Sequence, residues 1–314
     1  MNLLLAIPSS LFPLPSSLFP LPSSLDTVRY QIEHTTQYIY SQAVTLQPHV
    51  VRLRPRSDGC QTLHSFTITV TPQPKQQAQI IDLDGNSLVQ LWFDPTPTES
   101  LVIHTVSDIE THRINPFDYF LEPWAVSLPA DYPVSLWVQL QPYILGQQPG
   151  YTSSIDPIAA QLAQDLWFQA NGEPLTFLSL LNQQIYQGCQ YTIRETGDPM
   201  PAGVTWNQRS GTCRDFAVLF MEVCRAIGLA ARFVSGYQEG DPDTPDFHLH
   251  AWAEVYLPGG GWRGYDPTQG LAVADRHIAL VASASSRYAA PVAGSFTPGG
   301  IQSSMTYQLA IAPL

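Results

Sequence analysis

The sequence predicts an α+β protein in which an N-terminal β-sandwich-like domain is followed by a domain of helices packed on one face of an antiparallel sheet. Three observations point there. From Asp26 to about residue 140 the chain is a series of short segments rich in Val, Ile, Thr and aromatic residues, each bounded by Pro, Gly, Asn or Asp. Helical periodicity with capping signals takes over near residue 150, and strand-like alternation returns after Gly228. Helices followed by strands, with no regular βαβ alternation, is the order of an α+β domain.

Bulk composition narrows the function classes. The chain has 314 residues, 44% of them hydrophobic and 13% charged, enough for a sizeable packed core. Fourteen basic residues against 26 acidic ones give a formal charge of −12, which repels polyphosphate and anionic lipid. Nucleic acid and membrane surfaces are therefore not expected partners. The 28 prolines favour turns and β-structure over long helices. Cys60, Cys189, Cys213 and Cys224 form no Cys-x-x-Cys pair, so reduced thiols are expected, with no zinc knuckle. No apolar run is long enough to span a bilayer, and the opening "MNLLLAIPSSLF" lacks the basic residues of a signal peptide, so the expected location is cytoplasmic.

Residues 9–25 read "SSLFPLPSSLFPLPSSL", a perfect seven-residue repeat with prolines too frequent for helix or paired strand. It is read as a flexible tail or as translated repeat DNA ahead of the true start, and residues 1–25 are set apart from the fold. Residues 26–145 make the β-rich domain, from "TVRYQIEHTTQYIY" to "SLVIHTVSDIETH", with "DGN" at 84–86 as a hairpin turn. Residues 146–314 make the second domain. "SIDPIAAQLAQDLWFQ" offers Ser154 or Asp156 as N-cap, a proline in the first turn and an Ile158, Leu162, Leu166 stripe; "PLTFLSLLNQQIYQ" is a second helix. A third runs from Cys213 through Phe216, Leu219, Phe220, Val223 and Ile227 to Gly228. Then "AARFVSGYQ", "HLHAWAEVYL" and "GWRGYDPT" read as three strands, with one or two more in the tail.

Position separates two cysteines of that third helix. Cys213 falls in its first turn, with Ser210 or Thr212 as cap, where unpaired N–H groups and the positive end of the helix dipole favour a thiolate. Cys224 falls mid-helix among Leu, Met, Val and Ile, where desolvation opposes ionisation. A nucleophilic cysteine needs a base and an orienting group. His248 and His250 share one face of their strand, so alternation does not choose between them, and Asp266 in "GYDPT" could hold the base's other nitrogen. His248, His250 and the acidic "EGDPDTPD" run show no ligand spacing of a zinc or calcium motif, so neither metal nor cofactor is expected. Asp215 reads as helix-start electrostatics or a buried ion pair.

"GTCRDFA", "RAIGLAARFVSGY" and "HLHAWAEVYLPGGGWRGYDPTQG", in this order, resemble the core of the transglutaminase-like superfamily in its bacterial form with a β-rich N-terminal domain. The likeness covers nearly everything after residue 26 and is strongest across 205–270. It implies a papain-like core in which Cys213 is the nucleophile, His250 of "HAW" the base and Asp266 of "DPT" the orienting acid. Relatives tend to have a Gly-Arg-Asp-Tyr version of the segment where this chain has "SSRYAAP" at 285–291. The implied chemistry is acyl transfer from a peptide or protein substrate through a thioester, resolved by water in a protease or amidase and by an amine in a cross-linking enzyme. The Cys213 N–H and the Gln208 side chain are candidate oxyanion donors, and Trp252, His248 and Trp262 are possible cleft-lining residues. A catalytically inactive protein-interaction module is the reading from another class. Oligomeric state is not indicated by these residues.

Overall fold

The structure is a computed structural model that describes residues 27–145, 155–194, 196–239 and 249–314. The repeat at 9–25, the candidate cap Ser154 and the candidate cleft residue His248 lie outside the described residues.

Six antiparallel strands open the fold: β1 (Val28–Leu46), β2 (His49–Val51), β3 (Gln61–Thr71), β4 (Gln76–Ile81), β5 (Ser87–Trp92) and β6 (Thr98–Thr111). Period-two burial is clearest in β6, where Leu101, Ile103, Thr105, Ser107, Ile109 and Thr111 face inward in turn. Gly85, at φ +80°, makes the β4–β5 turn within "DGN". Beyond Thr111 the strand pattern stops. Residues 112–133 are irregular apart from a single 3-10 turn at Pro123–Ala125, and helix α1 (Val134–Leu145) lies where the sequence suggested the end of the β-domain. Its Val, Trp and Tyr content and internal Pro142 hide it from propensity. Packing holds it instead, with Leu140 and Ile144 buried beside Tyr132 and Ala230.

The helical part holds α2 (Pro157–Gln169), α3 (Pro174–Gly188), α4 (Ala202–Gln208) and α5 (Cys213–Ala226), with short strands β7 (Gln190–Tyr191) and β8 (Ser210–Gly211) in a parallel bridge. Asp156 caps α2 by accepting from Ile158 N at 2.9 Å and also accepts from Gly203 N at 3.0 Å, tying α2 to α4. Gly203 is required there, because a Cβ would stand 2.5 Å from the Asp156 carboxylate. Helix α5 is the central one: Phe216, Leu219, Phe220 and Val223 are buried, Phe220 stacks on Tyr265 at 5.5 Å, and Gly228 at φ +84° ends the run.

A five-stranded antiparallel sheet follows, in the order β12-β11-β10-β9-β13, from β9 (Ala231–Gln238), β10 (Leu249–Leu257), β11 (Gly261–Asp266), β12 (Leu271–Ala272) and β13 (His277–Ser283). The last strands, β14 (Val292–Ala293), β15 (Phe296–Thr297) and β16 (Ser303–Pro313), return to the N-terminal strands: β14 pairs with β2, and β15 and β16 pair with β1. The two β-systems also meet at β13. Gln61 gives Ala279 O one hydrogen bond and accepts one from Ala279 N, both at 2.8 Å, and Asn86 does the same with Ala282 at 2.8 and 3.0 Å. Two amide side chains thus take the place of a neighbouring strand and cover an edge that would otherwise be open.

Candidate active site

Thr212 is the N-cap of α5 and Cys213 its first helical residue. Asp215 Oδ2 accepts from Thr212 N at 2.8 Å and Thr212 Oγ1 at 2.9 Å, while Oδ1 accepts from Arg194 Nη2 at 2.6 Å and Met200 N at 2.7 Å. A fully buried carboxylate thereby fixes the helix start and the 194–200 segment together. The β7–β8 bridge sets Tyr191 opposite Gly211, two residues before the cysteine. Burial first, and then the nearby Cys213 charge, push the Tyr191 phenol up to about 12.

His250 lies near the start of β10, and Asp266 closes β11, just before Pro267. The register Ala253↔Tyr265 sets Tyr265 toward α5 and, by alternation, places Asp266 on the face of His250 and Trp252. Asp266 Oδ2 accepts from His250 Nε2 at 2.7 Å, and Oδ1 accepts from Thr268 N at 2.9 Å. Burial pulls the His250 imidazole down, but the Asp266 charge, its hydrogen bond and a hydrogen bond with Cys213 together hold it up at about 10, against an ordinary 6.5. Burial likewise opposes a charged Asp266, and the His250 charge with the hydrogen bonds of His250 and His277 outweighs it, leaving the carboxyl well below its ordinary range. Since Nε2 is taken by Asp266, Nδ1 is the nitrogen left for the thiol.

Cys213 and His250 open into a cleft of about 860 Å³, a volume in the range of small-ligand and peptide sites. Its far wall is built by the N-terminal β-system: Tyr38 on β1, and Met305 and Tyr307 on β16. Arg194, Arg214 and Arg287 line it as well, and Asp198 adds a carboxylate.

The structure therefore brings Cys213, His250 and Asp266 together and leaves other expected residues elsewhere. Gln208 is exposed at the end of α4 and does not line the cleft, because Arg209, at φ +52°, turns the chain away and lays its guanidinium 3.4 Å over the Trp206 ring. Trp252 is fully buried beside the His250 imidazole, and Trp262 packs on Tyr143, Tyr256 and Arg232; neither lines the cleft. Missing from the sequence reading are Tyr191, the β16 wall and a second imidazole on Asp266, that of His277, whose Nε2 lies 3.1 Å from Oδ2. A lone histidine in "RHIALVAS" gives no sequence signal for that contact. His250, Asp266 and His277 hold their ligating atoms within 4.8 Å of one another, a donor set suited to a borderline cation such as zinc. A cation there would displace the His250–Asp266 hydrogen bond.

Residues 30–110 match the family described as the bacterial transglutaminase-like N-terminal region, and residues 160–267 match the transglutaminase-like superfamily core. An uncharacterised protein of Mycobacterium tuberculosis is 30% identical over 271 residues, covering 81% of this chain and 83% of that one. A protein-glutamine gamma-glutamyltransferase of Pseudomonas aeruginosa is 29% identical over 196 residues, 57% of this chain and 28% of that protein. Among solved structures, a Cytophaga hutchinsonii protein provisionally described as a cysteine protease aligns with a TM-score of 0.68 at 20% identity, covering 92% of this chain and 91% of that one. At that identity the match bears on the fold.

Proposed function

This chain belongs to the transglutaminase-like superfamily, and from that premise we propose that it is a cysteine-dependent acyl-transfer enzyme that hydrolyses peptide, isopeptide or amide bonds through a thioester. The observation that supports this reading most is the placement of one thiol at the first position of α5, lining the same cleft as a buried imidazole that Asp266 holds through Nε2.

In this reading Cys213 and His250 rest as a thiolate–imidazolium pair, with the sulfur's proton already on His250 Nδ1, and Sγ attacks the carbonyl carbon. The Cys213 N–H, at the first helical position, has no intrahelical acceptor and serves as a donor to the developing oxyanion. Collapse breaks the C–N bond, and Nδ1–H gives its proton to the departing amine. Water then adds to the thioester with His250 as base, and the carboxylic acid leaves as the thiolate–imidazolium pair reforms. Asp266 stays ionised throughout, accepting Nε2–H and keeping the ring in the tautomer that presents Nδ1 to sulfur.

Amine transfer is the second reading, favoured by the likeness to the Pseudomonas aeruginosa gamma-glutamyltransferase. Charge in the cleft argues for water. The described lining residues include three guanidiniums and one carboxylate, that of Asp198, and Asp215 offsets one guanidinium, so a lysine ammonium meets net repulsion where it would enter. The test is to trap the acyl-enzyme from a peptide library by acid quench and read the intact mass, with Cys213→Ala as control. An adduct confined to wild type, released at the same rate with and without lysine analogues, supports hydrolysis; interception by the amine supports transfer. No adduct on wild type defeats both.

A further inference from the structure

We propose that His277 is a positioning residue of this reaction: its Nε2–H donates to the same Asp266 oxygen that holds His250 and sets that oxygen's orientation and acceptor strength. The inference rests on the triad reading above and adds a fourth side chain to it.

Asp266 is fully buried, and each of its four acceptor positions has a donor. Oδ1 takes the N–H of Thr268 at 2.9 Å and of Gln269 at 3.4 Å, and Oδ2 takes His250 Nε2 at 2.7 Å and His277 Nε2 at 3.1 Å. Removing His277 leaves a bare lone pair in a site closed to water. On the other side of its ring, Nδ1 is buried and has no hydrogen-bond partner among the described residues. The tautomer with hydrogen on Nε2 is therefore the one that matches its surroundings, and it leaves His277 a single proton to give, aimed at Asp266.

The fold goes out of its way to bring this ring there. Strand order places β13 three strands from β11. The pairings His250↔Gly236 and Gly236↔Ala279 put His277, two residues before Ala279, on the face shared by His250 and Asp266. Gly236 keeps that face open, since a Cβ would stand 2.5 Å from the Trp252 ring. Trp252 fills the space as a common floor, its ring centroid 5.3 Å from that of His277 and 6.2 Å from that of His250, and the two imidazoles are 6.3 Å apart. The outer edge of β13 is held by Gln61 and Asn86, so the N-terminal β-system sets the position of His277 as well as building the far cleft wall.

Two donors on one oxygen compete. The bond from His277 draws density from Oδ2 and weakens its hold on the imidazolium of His250, which must surrender its proton to the leaving amine. It also stops the carboxylate from turning. Loss of the donor strengthens the Asp266–His250 bond and loosens its geometry together.

The test compares wild type, His277→Phe, which keeps an aromatic ring without the donor, and His277→Gln, which restores an N–H near the Nε2 position. With one amide substrate, His277→Phe is expected to lose about 10- to 100-fold in kcat with KM little changed. The basic limb of its kcat/KM profile should move to higher pH by about half a unit or more. His277→Gln should recover most of both. An unmoved limb, a loss confined to KM or to melting temperature, or no rescue by glutamine overturns the proposal. If wild type acylates nothing, the function reading fails by itself, and His277 is then judged by NMR on the downfield His250 Nε2–H proton. That resonance must shift in His277→Phe and return in His277→Gln; if it stays in place, the positioning role is wrong whatever the enzyme does.

Discussion

Helix α5 has two cysteines about three turns apart, and the two ends of the helix treat them in opposite ways. Cys213 is partly exposed at the N-terminus, with a capped helix start beneath it and the His250 imidazole as its partner. Cys224, in the last turn of α5 and not mid-helix as its apolar setting suggested, is fully buried, and desolvation pushes its thiol far above the ordinary value despite the neighbouring Arg225. That arginine is itself committed to the carbonyls of Tyr143, Ala231 and Ala284, so the distal end of α5 is a packing joint and the proximal end a reactive mouth. Residue type says nothing about reactivity here; helix position and the groups beyond the helix decide it.

The comparison breaks most sharply under alanine. Cys213→Ala is expected to cost about 10⁴-fold or more in kcat, whereas Cys224→Ala should keep its activity per folded molecule, both read in a steady-state amide assay. Asp266→Asn should lose about 10³- to 10⁴-fold, because an amide can present N–H to the ring and select the wrong tautomer. Asp215→Ala attacks the same helix end structurally. It strips four hydrogen bonds from one buried carboxylate and should cost about 3 kcal/mol in denaturant unfolding, with KM rising as the 194–200 wall loosens. Cys224→Ser, which buries a hydroxyl where a thiol packed, should cost about 1–2 kcal/mol with catalysis intact.

A smaller effect is the pH dependence of stability. His250 titrates higher in the folded protein than unfolded, so its contribution is full below 6.5 and is lost as pH rises toward about 10. Asp266 titrates lower when folded, so its contribution is present above 3.8 and is lost as pH falls below that value. The melting-temperature advantage of wild type over Asp266→Asn should therefore be greatest between about pH 4 and 6.5 and shrink steadily toward pH 10.

How much of this was legible in the sequence depends on how local each signal is. The start of α5 at Cys213 follows from an apolar stripe at helical spacing and a threonine cap, all within one short segment. Choosing His250 over His248 needed the family motif, since strand parity treats the two alike. The docking of β16 on β1 is invisible because pairing partners nearly a whole chain apart leave no local trace. Gln208 was misplaced by sequence proximity to Cys213: a single left-handed residue, Arg209, turns the intervening chain and removes it from the cleft. His277 was missed for a similar reason, since its contact with Asp266 depends on an absent side chain at Gly236 and on amide clamps from Gln61 and Asn86, none of them near it in sequence. Helix α1 escaped because packing, and not propensity, holds it.

The difference between the two ends of α5 is tested most directly by limiting iodoacetamide on the folded wild-type chain, with adducts mapped by mass spectrometry. Cys213 should label first and faster than a small free thiol, Cys224 should stay unlabelled until the protein unfolds, and the Cys213 rate should fall in His250→Ala. Labelling of Cys213 at the rate of an ordinary exposed thiol, unchanged in His250→Ala, would contradict the account.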